Sequence, residues 1–215
     1  VAPTLSTDPK IIAIRRGRLF ALVGDTPVIY KDVPLDEWYA PYVSYVIEEN
    51  IATGYKDEAG KLKGEFGVEQ SITYAEVLKM AMQASDQAFD LRGLPPPRNA
   101  SVKGTWASSY VAKAEELQLT VFAPSLDVNR SATRGAVLQT ILEVMGFPIP
   151  RTPASFSDVP PTHPYSQAIG LAAYSGFVSG DMGPDGQPLN RFRPDDPINR
   201  AEVAKIIALV KEVSK

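Results

Sequence analysis

The sequence predicts a mainly α chain: three tandem helix–loop–helix repeats preceded by a short β-hairpin-like segment. Three observations predict it. The first is an internal period, since residues 126 apart match without a gap: Asp32-Val33-Pro34 recurs as Asp158-Val159-Pro160, Tyr39 as Tyr165, Gly54 as Gly180, Gly60 as Gly186 and Phe66 as Phe192. Ile72-Thr73-Tyr74-Ala75-Glu76 likewise recurs as Ile198-Asn199-Arg200-Ala201-Glu202, and self-similarity at a fixed long period marks a repeat architecture. The second is apolar spacing of i, i+3, i+4 and i+7, as in Val203, Ile206, Ile207 and Val210, which gives one buried helix face. The third is that Val77, Val137 and Val203 hold the same repeat position on faces that no single copy can cover. A worn middle copy sets Trp106, Tyr110 and Val111 against Trp38, Tyr42 and Val43 at an offset of 68, and Ala132 to Val137 against Ile72 to Val77 at 60, so its loop is eight residues shorter.

Taken in order, the polar, proline-containing residues 1–9 predict little fixed structure. Ile11, Ile12 and Ile14 then face Leu19, Phe20, Leu22 and Val23 across Arg15-Arg16-Gly17-Arg18, which reads as a hairpin whose arginines are solvated turn residues. In the first repeat Tyr39, Tyr42, Val43, Val46 and Ile47 make a helical stripe that stops near Asn50. Residues 51–66 read as a glycine-bearing loop with a short strand pair. Asp57 and Glu58 in that loop lack the spaced oxygen ligands of a calcium-binding loop, so solvation is their expected role. Thr73 caps the second helix and Glu76 completes a capping box, with Val77, Met80, Ala81 and Ala84 on the buried face.

Prolines 95–97 separate the first copy from the second, and Pro148, Pro150 and Pro153 the second from the third. In the middle copy Leu138, Ile141, Leu142 and Met145 keep an apolar face, but Phe122 stands where Gly54 and Gly180 would be. In the third, Ala168, Ile169, Ala172 and Ala173 line a helix ended by Gly176. Asn199 then caps the last helix, with Glu202 as its box partner. The boundaries that follow are 1–29 for an N-terminal extension, and 30–94, 95–150 and 151–215 for the three repeats.

Composition bounds the function. A net charge of −3 lacks the basic surface that a nucleic-acid partner demands. The absence of cysteine removes disulfides and thiolate chemistry. No apolar run approaches the roughly 20 residues of a membrane span. The chain opens on Val1 with no signal-peptide pattern, which predicts a processed or excised piece of something longer. His163, alone of its type, makes no zinc site, and no nucleophile-elbow, zinc-protease or phosphate-loop motif occurs. A carboxylate pair drawn from Glu76, Asp158 and Glu202 is the remaining route to glycoside hydrolysis, but capping already engages two of the three.

The aromatic/Asp-Val-Pro openings, glycine-bearing loops and Ile-Thr-Arg-Ala-Glu-like helix starts resemble a tandem of S-layer homology repeats over about residues 30–215. Tyr74 departs from the motif arginine in the first copy and Ala136 from the glutamate in the second. The resemblance implies a pseudo-threefold bundle in which each copy gives a helix to a shared core. It also implies a non-catalytic, cofactor-free module at the cell surface. Such a module anchors a protein to the cell wall through an acidic, pyruvylated secondary polysaccharide, with other surface-layer proteins as further partners.

Carried onto this chain, the binding residues implied are Asn199, Arg200 and Glu202 in the third copy, Thr133 and Arg134 in the second, and Thr73 and Glu76 in the first. The loop glycines Gly54 and Gly180 and the indoles of Trp38 and Trp106, which suit stacking on sugar faces as well as core packing, complete the set. Arg200 opens a helix whose dipole disfavours a cation there, which points to an anion, and free helix-start amides beside an arginine suit a carboxylate. The competing expectation is a structural, protein-interacting module whose worn motifs bind no glycan.

Overall fold

The hairpin forms in a different place from the one the isoleucines suggest. In the computed structural model, which describes residues 8–214, Ile11, Ile12 and Ile14 lie in a helix, α1 (Pro9–Arg15). Asp8 caps that helix, its carboxylate accepting from the Lys10 amide at 2.8 Å, and Pro9 stands at the first helical position, where its missing N–H costs nothing. These start signals outweigh the β preference of the three isoleucines. The strand β1 (Arg18–Val23) pairs instead with β2 (Thr26–Pro34), antiparallel, around Gly24-Asp25. Gly24 has φ +58, a conformation that favours glycine. Of the N-terminal segment expected to lack fixed structure, residues 1–7 lie outside the described residues.

The remaining elements follow the repeat. They are α2 (Ala40–Glu48), α3 (Tyr74–Ala84), α4 (Ser108–Glu116), α5 (Arg134–Val144), α6 (Ser166–Tyr174) and α7 (Arg200–Val213), with a 3-10 turn at Ala100–Val102. Helix α2 ends two residues before Asn50, which takes φ 55 as the residue just past the helix. Within the loops that follow α2 and α6, Lys56 pairs with Leu62 and Met182 with Pro188 in single antiparallel bridges. The described residues are thus mainly α, with seven α-helices and one two-stranded sheet.

The chain divides into two compact units. One comprises the residues up to Gln70 with Asn199–Ala208; the other comprises Ser71–Ile198 and the residues from Leu209 on. In the first, α1 and α2 pack on the hairpin, burying Ala13, Leu19, Ala21, Val28, Tyr30, Val43 and Val46. Asp32 fastens the glycine loop there, its carboxylate accepting from the amides of Phe66 (2.9 Å) and Gly67 (2.6 Å).

In the second unit α5 packs against α3 and α6, and α3 against α4. Ten of the eleven residues of α5 are buried, so it is the core helix of that unit. A closed ring of backbone hydrogen bonds lies beside it: Ile72 donates to Ile198 (3.1 Å), Ala132 to Ile72 (2.8 Å) and Ile198 to Ala132 (3.2 Å). These three residues share one repeat position, two residues before the start of each motif helix.

Candidate functional site

Each motif helix begins the same way. Arg200 and Ala201 donate their amides to Gln70 and Val68 (3.0 and 3.2 Å), and Arg134 and Gly135 donate to Asp196 and Pro194 (3.0 and 2.9 Å). Tyr74 and Ala75 donate to Arg130 and Val128 (3.4 and 3.0 Å). The carbonyls accepting these bonds hold matching positions in the three copies. This corrects the expectation of free helix-start amides: the amides of the first two residues are already engaged, so an anion there would rely on side chains.

In α3 and α7 the next amide is taken by the cap. In α3, Glu76 donates to Thr73 Oγ1 (3.3 Å) while Glu76 Oε2 accepts from the Thr73 amide (2.9 Å). In α7, Glu202 donates to Asn199 Oδ1 (2.8 Å) and its carboxylate accepts from the Asn199 amide (3.2 Å). Both capping boxes therefore form. Thr133 makes no side-chain cap, and Ala136, in the glutamate's place, has no group to reach back with.

The motif arginines are packed. Arg200 is 8% exposed, and its guanidinium lies 5.3 Å from the ring centres of both Tyr55 and Phe66. Arg134 is 9% exposed, lies 5.0 Å over Phe192, and donates from Nε to the Phe192 carbonyl at 3.0 Å. Stacking of this kind recovers what the helix dipole costs at the first turn, so each arginine has a structural reason to be there.

Gly54 and Gly180 also have steric roles. A Cβ on Gly54 would collide with the Glu65 carbonyl oxygen, and one on Gly180 would come within 2.8 Å of the Phe156 ring and 2.9 Å of the Arg191 carbonyl oxygen. Both glycines let the two arms of a loop close on each other. Of the three acids weighed as a catalytic pair, Glu76 and Glu202 sit in caps. Asp158 accepts from the amides of Phe192 (2.9 Å) and Arg193 (2.8 Å). Burial pushes the Asp158 carboxyl up, but these amides outweigh it and hold the group below the usual carboxylate range.

The indoles face solvent. Trp38 is 50% exposed and meets Tyr39 edge-on at 5.4 Å; Trp106 is 55% exposed and meets Tyr110 edge-on at 6.1 Å. Over each stands a lysine that the sequence reading missed: Lys205 lies 5.7 Å from Trp38 and Lys79 5.5 Å from Trp106. The signal was available, since Lys79 and Lys205 are 126 residues apart, whereas Gln139 stands in the middle copy. An open aromatic face beside an ammonium group offers stacking for a sugar ring and charge for an acidic substituent on it. Among the described residues no cluster of three or more metal-ligating side chains occurs, and no helix is long and apolar enough to cross a membrane.

A family model for the S-layer homology domain matches residues 29–78 and 155–204. The chain is also similar to a "Middle cell wall protein" of Brevibacillus brevis, 31% identical over 130 residues, 60% of this chain. A "Surface layer protein" of Brevibacillus choshinensis is 30% identical over 90 residues, 42% of it. The aligned segments make up 10% and 6% of those two relatives. The similarity to the S-layer homology domain thus falls on the first and third copies of this chain.

Proposed function

We propose that the chain is a non-catalytic carbohydrate-binding module that holds a surface protein on the cell wall by an acidic, pyruvylated secondary polysaccharide. Its place is the cell surface, in keeping with its S-layer homology domains and with the names of its relatives. The observation that carries the glycan reading is the pairing of a solvent-facing indole with a lysine, Trp38 with Lys205 and Trp106 with Lys79. Arg200 and Arg134 supply further positive charge beneath the sugar. Asn199, Glu202, Thr73, Glu76 and Thr133, with Gly54 and Gly180, shape the helix starts and loops that present it.

The architecture proposed with it is a pseudo-threefold bundle of the repeats 30–94, 95–150 and 151–215. The ring of hydrogen bonds among Ile72, Ala132 and Ile198 supports that reading, because a cyclic exchange between three equivalent positions is what a threefold axis produces. The alternative, a protein-interaction module without glycan binding, draws on the exposed apolar side chains of Tyr174, Met182 and Leu189 in the third copy. A pull-down with purified wall sacculi, before and after removal of the wall polysaccharide, separates the two. Retention lost with the polysaccharide supports anchoring by glycan; retention that survives its removal supports the alternative.

A further inference from the structure

The first unit contains a cleft of about 390 Å³ whose lining is replaced at several matching positions of the third repeat. The N-terminal hairpin and the first repeat line it together, through Arg18, Lys31, Glu37, Tyr39, Glu69 and Gln70, with Gly67 and Asp32 on its wall. At the matching positions of the third repeat, His163 replaces Glu37, Arg193 replaces Gly67, Asp195 replaces Glu69 and Asp196 replaces Gln70. Those residues close on one another. His163 Nε2 lies 3.4 Å from Asp195, and Arg193 donates to Asp181 through Nε (2.7 Å) and Nη2 (2.8 Å) and to Asp196 through Nη1 (3.4 Å). In the first repeat Gly67 brings no side chain, and among the described residues Arg18, Lys31, Glu37 and Glu69 make no ion pair with one another or elsewhere. Arg18 belongs to the hairpin, the one two-stranded sheet among the described residues.

We infer that this cleft is a second glycan subsite, for a neutral, hydroxyl-rich sugar residue, in the polysaccharide that the module is proposed to bind. The volume lies at the lower end of the range for small-molecule sites, ~300–1,000 Å³. Its charges nearly cancel: two cations, Arg18 and Lys31, face Glu37, Glu69 and Asp32, and the last already accepts from loop amides. An acidic sugar would meet three carboxylates and a basic one two cations, whereas neutral hydroxyls can donate to the acids and accept from Arg18 without bringing a net charge. Tyr39 adds an aromatic face. Its phenol is held protonated by burial and by Glu37, Glu69 and Asp32, against the pull of Arg18, so it remains a donor at neutral pH. The hairpin thus has a function beyond covering the first repeat.

The subsite rests on the glycan reading above, and one experiment separates the two. A pyruvylated wall polysaccharide is titrated into the isotopically labelled full chain, intact and after mild acid has hydrolysed its pyruvate ketals. Amide shifts of Gly67 and Val68 report the cleft, and the indole N–H of Trp38 reports the acidic subsite. Both polymers should shift Gly67 and Val68, while only the intact one should shift Trp38 strongly. Arg18→Ala and Glu69→Gln, both at solvent-accessible positions, should each weaken binding of the acid-treated polymer about tenfold. If only Trp38 responds, or if both variants bind the treated polymer like the parent, the subsite is overturned and the acidic-glycan reading stands. If the treated polymer alone binds, at the cleft, the subsite stands and the acidic-glycan reading fails; if neither polymer binds, both fail.

Discussion

The motif arginine of the third repeat and that of the second are held by related but unequal surroundings. In the first unit Arg200 lies over two aromatic rings, Tyr55 and Phe66; in the second Arg134 lies over one ring, Phe192, and donates to that residue's carbonyl. The residues 126 positions on from Tyr55 and Gly67 are Asp181 and Arg193, so a ring lying over a glycine in one unit becomes a two-point ion pair in the other. Each solution needs both of its members: a Cβ at Gly67 would collide with the Tyr55 ring, whereas Arg193 has Asp181 to hold. The repeats therefore keep the aromatic floor beneath the arginine and vary what surrounds it. The charge near Arg134 is partly answered by Asp181, whose carboxyl is held below the usual range by Arg193 and also feels Arg134.

The largest effect expected is on that floor. Phe66→Ala and Phe192→Ala remove side chains that are almost wholly buried, and each should cost about 3–5 kcal/mol in urea denaturation. Phe192 also stacks on Phe156 at 5.4 Å, so its loss should be the greater. Near-neutral values for either would show that the floor is not what holds the arginine. Next comes Arg200→Ala, which should weaken binding of wall polysaccharide by roughly 1.5–3 kcal/mol, the size of a charged hydrogen bond, with Arg134→Ala weakening it less. Its effect on stability reverses what the helix dipole alone suggests. The dipole predicts no change or a slight gain on removing a cation, but loss of two stacked rings should lower stability by about 2 kcal/mol. Calorimetric titration and thermal melts of both variants check the two quantities separately.

Asp181→Asn should have a smaller effect, because Arg193 is 43% exposed and surface ion pairs contribute only ~0–1 kcal/mol. The folded carboxyl titrates below its unfolded value, so its contribution is present above the unfolded pKa of about 3.9 and is lost as pH falls through the folded value. Parent and variant should therefore differ slightly at pH 7 and converge in strong acid, as followed by denaturant melts across that range. Convergence on raising the pH instead would contradict the ion-pair account.

These comparisons also mark where the sequence was legible. The 126-residue period and the apolar spacing located the repeat helices, because a helix face and its cap are local patterns. The N-terminal segment misled because β-branched isoleucines argue for strand, while the helix depends on Asp8 and Pro9, two start signals lying ahead of them. The roles of the site residues were less legible. The packing of Arg200 was not legible, because the rings it lies against, Tyr55 and Phe66, stand far from it in the chain. The middle copy has a different fastening: buried Asn99 donates its side-chain amide to the carbonyls of Ala123 and Leu126, whereas Asp32 and Asp158 accept from loop amides. Asn99 stands outside the 68-residue register, at which Ala100 matches Asp32, so the periodicity does not point to it.

The central claim, that solvent-facing indole–lysine pairs carry the glycan, is tested most directly by calorimetric titration of isolated wall polysaccharide into Trp38→Ala and Trp106→Ala. Trp38 has the motif arginine on the same helix as its lysine, whereas Trp106 has Tyr74 in that place, stacked with Arg130 at 5.5 Å. Trp38→Ala should therefore bind about tenfold more weakly, equivalent to ~1.4 kcal/mol, and Trp106→Ala about threefold, with both melting temperatures close to the parent's. Two variants that bind like the parent would contradict the account and remove the glycan from this surface.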